Sequence, residues 1–301
     1  MKSEQSAVVV MECFSPAKVN LYLHILGKRE DGFHELETLM APLSVGDEMT
    51  FEEIESGTEL TIEGLELDAG PDNLIWKAAD AVRRKSGTEK GIRIKVKKRI
   101  PLGGGLAGGS SNAATTLQAC NEIWKAGLSG MDLHELAASM GSDINFFLEP
   151  GAAICRGRGE IVEPIQLDPV GRVLILNPGF PVPTPWAFQA YAKAASAEKK
   201  GDELPVKVTW EIQQSEKIGK QGEGAACRND LEKVVAAKYY WISGAVDFLN
   251  QQEGVRGAMM SGSGASVVAF LSEDADEVTL RGRVKDWAGP RCWVEVAEFL
   301  L

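Results

Sequence analysis

Residues 101–114 read PLGGGLAGGSSNAA, five glycines and two serines set between two segments of plain periodicity. Before them, in GIRIKVKKRIP, Ile92, Ile94 and Val96 alternate with Arg93, Lys95 and Lys97, the period of a strand with one buried and one polar face. After them, Ala113, Leu117, Cys120 and Trp124 recur at helical spacing as far as Gly127, a suitable stop. The unit is therefore strand, glycine loop, helix. Bare backbone lets N–H groups approach an anion unobstructed, and a helix starting near Ser110 adds unpaired N–H donors and the positive end of its dipole. A polyphosphate suits such a loop. A mobile linker or tight turn is the plainer reading, but it fits poorly between two well-patterned elements.

Gly103, Gly105 and Gly108 satisfy G-x-G-x-x-G, yet that dinucleotide fingerprint follows a buried parallel strand, and the strand here alternates. Walker A is absent, because Gly27-Lys28 runs into Arg29 and Gly219-Lys220 into Gln221. There is no G-x-S-x-G elbow, and His24, His34 and His134 form no HExxH pair. At 301 residues the chain can hold one large core or, as the favoured reading, two domains, and 44% hydrophobic with 25% charged residues is the composition of a folded protein. Five cysteines without CxxC spacing, and an opening MKSEQSAVVVMECF without a long apolar run, predict a cytoplasmic setting. No stretch has the length of a bilayer span, and a net charge of -11 argues against a broad nucleic-acid surface, so any phosphate site is local.

The loop resembles the phosphate loop of the GHMP kinases, which bind ATP through glycines unrelated to Walker A. SPAKVNLYLHILGKREDGFHELETLM (15–40) and MSGSGASVVAF (260–270) resemble that superfamily's first and third motifs, in the same order. Together with GSDINFFL and PTPWAF, they make the chain similar, over nearly its whole length, to the branch acting on a diphosphocytidyl alcohol. That resemblance implies transfer of the ATP γ-phosphate to the 2-hydroxyl of 4-diphosphocytidyl-2-C-methyl-D-erythritol, in the non-mevalonate isoprenoid pathway, with magnesium and without an obligate protein partner. Asn145, Trp186 and the stretch 198–224 depart from the branch's pattern.

Phosphoryl transfer to an alcohol needs charge neutralisation, a positioned hydroxyl and usually a carboxylate to take its proton. The resemblance assigns these tasks to Lys18 and Asp143, Lys18 holding Asp143 ionised if the two side chains meet. From the residues alone, Asp143 is equally a turn or capping aspartate, and Lys18 a solvent-facing lysine on a half-buried strand. The resemblance further places adenine near Asn73, Leu74 and Lys98. It sets the triphosphate on Pro101, Leu102, Gly103, Gly104, Gly105, Leu106, Ala107, Gly108, Gly109, Ser110 and Ser111, with Ser111 also a magnesium contact. Asn73 is in addition a natural helix N-cap. Cytosine is expected between Phe33 and Phe188, its edge read by the backbone of His34, with Asn20, Thr184 and Gly264 holding other parts of the substrate. Core aromatics and an exposed turn histidine are the plainer readings of Phe33, Phe188 and His34. Valine at Gly105 or Gly108 is expected to obstruct phosphate while leaving the fold largely intact.

The expected class is α+β, a two-domain GHMP kinase fold. Residues 1–166 would form a ribosomal-protein-S5-domain-2-like domain and 167–301 a ferredoxin-like one. In the second half the pattern reads strand (173–177), helix after Thr184, one helix (231–250), strands (255–260 and 266–271), helix, strand (292–299), the β-α-β-β-α-β order apart from extra helical material. EKKGDELP is expected to be a loop and QQSEKIGKQGEGAA mobile. The ATP loop alone is equally compatible with another small-molecule kinase of the superfamily, and the fold with a catalytically silent nucleotide-binding protein.

Overall fold

The structure, a computed structural model, describes residues 10–65, 67–167, 171–197 and 228–301; the segments expected to be loop (198–205) and mobile (213–226) lie outside the described residues. The chain forms two compact units, neither of them one continuous stretch: Met1–Pro16, Gly46–Ile100 and Gly108–Glu149 make the first, and Ala17–Val45, Pro101–Ala107 and Pro150–Leu301 the second. Two long strands, β1 (Val10–Lys28) and β2 (His34–Ile54), lend residues to both.

In the first unit β4 (Gly91–Lys97) pairs antiparallel with the end of β2 and parallel with β3 (Thr58–Glu63). Its alternation is realised: Ile92, Ile94 and Val96 are buried and Lys95 and Lys97 exposed. Helices α1 (Leu74–Ser86), α2 (Gly108–Ile123) and α3 (Gly130–Met140) close a core in which Ile94 and Phe51 meet Val82, Leu117 and Cys120. Helix α3 starts at a reciprocal cap, the Ser129 side chain accepting from the Asp132 N–H and the Asp132 side chain from the Ser129 N–H, and stops at Gly141. A 3-10 helix, Ser142–Leu148, follows directly and buries Ile144, Asn145 and Phe146.

In the second unit β7 (Arg172–Asn177), β9 (Val255–Met260), β10 (Val267–Leu271) and β11 (Trp293–Glu298) form an antiparallel sheet in the order β11-β7-β10-β9. With α4 (Thr184–Ala197) after the first strand and α7 (Glu277–Ala288) before the last, this is the expected ferredoxin-like arrangement. Alternate strand residues, among them Leu174, Leu176, Val267 and Ala269, pack with Ile242, Leu249, Leu280 and Val284 of the helices. The single helix expected over 231–250 is instead two, α5 (Glu232–Ala236) and α6 (Tyr240–Asn250). The backbone leaves the helix at Tyr239 (φ -106, ψ 74), whose ring lies 5.6 Å from that of Phe180, stacked, and 5.5 Å from that of Trp186, edge-on. Lys238 sits 4.0 Å over Trp186, so tertiary aromatic contacts override a helical pattern. Elsewhere in this unit the start of β2 pairs with β5 (Ala153–Gly157), β5 with β6 (Ile161–Pro164), and β8 (Arg228–Asn229) runs parallel to β1.

Candidate active site

Lys18 lies in the stretch 17–23 of β1, every residue of which is buried, and is itself 3% exposed. A solvent-facing lysine is thereby excluded. Its Nζ donates to Asn20 Oδ1 at 2.6 Å and to the Gly105 carbonyl at 3.0 Å. Asn20 in turn donates to the Thr38 hydroxyl, which donates to the Tyr22 carbonyl. Two residues apart on one strand, Lys18 and Asn20 share a face, which is how the ammonium and the amide oxygen meet.

The glycines of the loop have a second reason besides ligand approach. Gly103 and Gly105 take φ of 58° and 76°, and a Cβ on Gly105 would stand 2.1 Å from the Ser261 carbonyl oxygen. One on Gly104 would stand 2.4 Å from Asn177 Nδ2. The loop lies on the turn after β9: the Ser266 N–H donates to the Gly104 carbonyl at 3.1 Å, as does the Ser261 hydroxyl to that of Gly105. The expectation that valine at Gly105 or Gly108 spares the fold is therefore corrected. At Gly105 added carbon meets backbone, and at Gly108 it comes within 2.9 Å of Ile100 Cγ2. Gly264 is buried, with its N–H donating to the Ser261 carbonyl, so it shapes that turn from within. Thr184, the first residue of α4, shares a 2.9 Å hydrogen bond with the Ser263 hydroxyl of the same turn.

Among the aromatic residues, the rings of His34 and Phe188 stack at 5.4 Å and 26°. Phe33 is 53% exposed, with the Arg158 guanidinium 5.0 Å from its ring centre. Burial first, and the Lys28 charge second, hold the His34 imidazole below the ordinary histidine value, which favours the neutral ring. The stability that goes with this shift is present above the unfolded value and is lost as the pH falls through the folded one.

In the first unit Asn73 is the N-cap of α1, accepting from the Ile75 N–H at 2.9 Å and donating to the Asp68 carbonyl at 2.6 Å. Leu74 lies beside the start of α2, its Cδ1 3.9 Å from where a Cβ on the exposed Gly109 would be. Helix α2 begins at Gly108, so Gly108, Gly109, Ser110 and Ser111 form its first turn, with N–H groups that no preceding turn can pair. Ser111 is wholly buried and shares a 2.7 Å hydrogen bond with Ser15, which also accepts from Asn112 Nδ2 at 2.8 Å. Lys98 is buried as well, its ammonium held by Asp47 and, at 2.9 Å, by Asn112 Oδ1, so its charge serves the interior. Asp143 is half-buried in the first turn of the 3-10 helix. Among the described residues no group of three or more His, Cys, Asp or Glu could hold a metal ion.

Several supporting residues escape a reading by motif. Asp47 accepts from the Arg99 and Ile100 N–H groups at 2.7 and 3.0 Å, and Asn177 and Ser266 join at 2.9 Å under Gly104. Asp47, in SVGDEM, carries the only signal available in sequence, an acid inside a strand pattern.

Comparison with known proteins identifies the family. The GHMP kinases N terminal domain matches residues 73–149, and the GHMP kinases C terminal domain residues 214–286. A protein of Methylacidiphilum infernorum named 4-diphosphocytidyl-2-C-methyl-D-erythritol kinase is 39% identical over 291 residues, 95% of this chain and 96% of its own. A second of that name, from Pelotomaculum thermopropionicum, is 36% identical over 92% of this chain and 96% of its own. The chain belongs to the 4-diphosphocytidyl-2-C-methyl-D-erythritol kinases. A crystal structure bearing the synonymous name 4-(cytidine 5'-diphospho)-2C-methyl-D-erythritol kinase matches with TM-score 0.75 and 34% identity, over 96% of this chain and 99% of that one. A homoserine kinase from Cytophaga hutchinsonii, 18% identical with TM-score 0.67 over 100% of this chain and 98% of its own, shares the fold. The expected two-domain GHMP kinase fold is thus the fold of this family member.

Proposed function

We infer that this chain transfers the γ-phosphate of ATP to the 2-hydroxyl of 4-diphosphocytidyl-2-C-methyl-D-erythritol, a step of isoprenoid synthesis. The observation that carries this is the 39% identity to a kinase of that name over 95% of the chain.

The assignment of steps to residues is our proposal. Asp143 accepts the proton of the 2-hydroxyl as it attacks, and Lys18 orients that hydroxyl and offsets developing negative charge. The burial of Lys18 and its anchors on Asn20 and Gly105 support this, because a fixed ammonium in a dry setting acts more strongly than a solvated one. The triphosphate rests on Pro101–Ser111, with adenine toward Asn73, Leu74 and the backbone of Lys98. The His34–Phe188 stack and Phe33 receive the cytosine, Thr184 and Asn20 hold polar parts of the substrate, and Gly264 acts through the turn. Magnesium fits the donor set: it commonly binds substrate phosphates with few protein ligands, and the Ser15–Ser111 hydroxyl pair offers a lone pair rather than a cage. When bound, it would neutralise charge on the phosphates.

The functional division 1–166 and 167–301 and a cytoplasmic setting belong to the same reading, the latter on cysteine usage. The reaction requires neither nucleic acid, membrane nor obligate protein partner. No helix among the described residues is long and apolar enough to cross a membrane. ADP release assayed with the cytidyl substrate, its uridine analogue, mevalonate and homoserine tests the reading. The cytidyl substrate should be turned over, and the uridine analogue at least several-fold less well, since a mismatched buried hydrogen bond costs about 1–3 kcal/mol. Turnover of mevalonate or homoserine in its place would overturn it.

A further inference from the structure

The segment Arg228–Glu232 belongs to none of the motifs used above, yet three of its polar side chains are tied into the interior of the second unit. Asn229 is 8% exposed; its Nδ2 donates to the Met260 carbonyl at 2.8 Å and to the Gly262 carbonyl at 2.7 Å, and its Oδ1 accepts from the Leu231 N–H at 3.0 Å. Two donors and one acceptor are thus engaged, and the amide cannot flip without turning its oxygen on two buried carbonyls. Glu232 accepts from the Met260 N–H at 2.6 Å. Asp230 ties the segment to β1: its N–H donates to the Leu23 carbonyl at 3.0 Å, and its carboxylate accepts from the Ile25 N–H at 2.9 Å and meets His24 Nδ1 at 2.8 Å. Burial alone would raise the Asp230 carboxyl, but those two hydrogen bonds and Arg228 outweigh it and hold it low.

The segment therefore joins two things, the strand that carries Lys18 and Asn20 and the turn that follows β9. That turn has no slack where it meets them. Gly262 takes φ of 55°, and a Cβ there would stand 3.1 Å from Asn20 Oδ1, 3.2 Å from the Gly105 carbonyl oxygen and 3.4 Å from Lys18 Nζ. Fixing the Gly262 carbonyl from behind fixes the wall against which the Lys18 ammonium and the Gly105 carbonyl meet.

We propose that Asn229 is a positioning residue for phosphoryl transfer: by gripping the Met260 and Gly262 carbonyls it holds the glycine turn against Lys18 and Gly105, and so sets where the ammonium points. This rests on the reading of Lys18 as catalytic. The test is a double-mutant cycle of Asn229→Ala and Lys18→Met on the full chain, with kcat, both KM values and thermal melts. Asn229→Ala should lower kcat roughly tenfold to a hundredfold, the scale of a displaced catalytic group, with KM for ATP and cytidyl substrate little changed and the protein folded at the assay temperature. In the Lys18→Met background the same substitution should cost less than about threefold, because its route of action is already gone. A merely structural peg would give losses that multiply, and that result would overturn the proposal. Full turnover by Asn229→Ala beside a crippled Lys18→Met removes the proposal alone, whereas full turnover by Lys18→Met removes both it and the catalytic reading. Should alanine not fold, Asn229→Ser, which keeps one donor, is read by the same cycle.

Discussion

Gly105 and Gly109 lie four residues apart, one in the glycine loop and one in the first turn of α2, and substituting each separates ligand approach from internal packing. Gly109 is exposed in the first turn of α2, and a Cβ there meets nothing nearer than Leu74 Cδ1 at 3.9 Å. An aspartate at that place is favoured by the helix dipole by about 0.3–1 kcal/mol, and leaving glycine gains helix propensity as well, so Gly109→Asp should melt no lower than the parent. Against a bound triphosphate the same carboxylate is repelled. Two unit charges ~6 Å apart at an effective dielectric of ~20 oppose one another by about 3 kcal/mol. Exposure and salt reduce this to about 1–2 kcal/mol, a loss of roughly tenfold in ATP affinity that shrinks as salt is added. Gly105→Ala should behave in the opposite way. Its left-handed backbone costs about 1–2 kcal/mol with a side chain, and the added carbon meets the Ser261 carbonyl oxygen at 2.1 Å, so the melt should fall by several degrees. Calorimetric titration with ATP and scanning calorimetry on both variants give the four numbers. Unchanged ATP affinity in Gly109→Asp would refute phosphate binding at the start of α2, and an unchanged melt in Gly105→Ala would refute the packing account of the loop.

Asp143→Asn keeps size and removes the proton acceptor, so turnover should drop by roughly two to four orders of magnitude with little change in binding; near-full turnover at saturating substrates would make Asp143 a structural residue. Phe188→Ala removes the ring stacked on His34 and should weaken the cytidyl substrate by about 1–3 kcal/mol, read as KM, while sparing ATP. Lys98→Met leaves the wholly buried Asp47 without its ammonium, a break worth about 3–5 kcal/mol, with the lower end expected because Asn112, Arg99 and Ile100 still donate to the carboxylate. Denaturant unfolding measures it, and a loss below ~1 kcal/mol would contradict a structural ion pair there.

How much of this the sequence discloses differs from element to element. The strand before the glycine loop was legible because only one of its faces is buried, so Ile92, Ile94 and Val96 stand out by period. Lys18 was not, since residues 17–23 are buried on both faces and alternation vanishes there; only the resemblance singled it out. The need for bare backbone could be read at Gly105, but not that Ser261, 156 residues away, is what presses on it. The break between α5 and α6 depends on Phe180 and Trp186, distant in sequence, and a local helical period cannot register it. Asn229 has no signature at all in sequence, because its meaning lies in two carbonyls of another strand and turn.

The central claim is that phosphate goes from ATP to one hydroxyl of one cytidyl alcohol. Incubating the purified chain with ATP, magnesium and 4-diphosphocytidyl-2-C-methyl-D-erythritol, and following the mixture by phosphorus and carbon NMR, tests it directly. The account predicts a new phosphomonoester whose coupling assigns it to carbon 2, formed in step with ADP, with the cytidyl diphosphate signals retained. ADP formed without that monoester, or a monoester on any other hydroxyl, would contradict it.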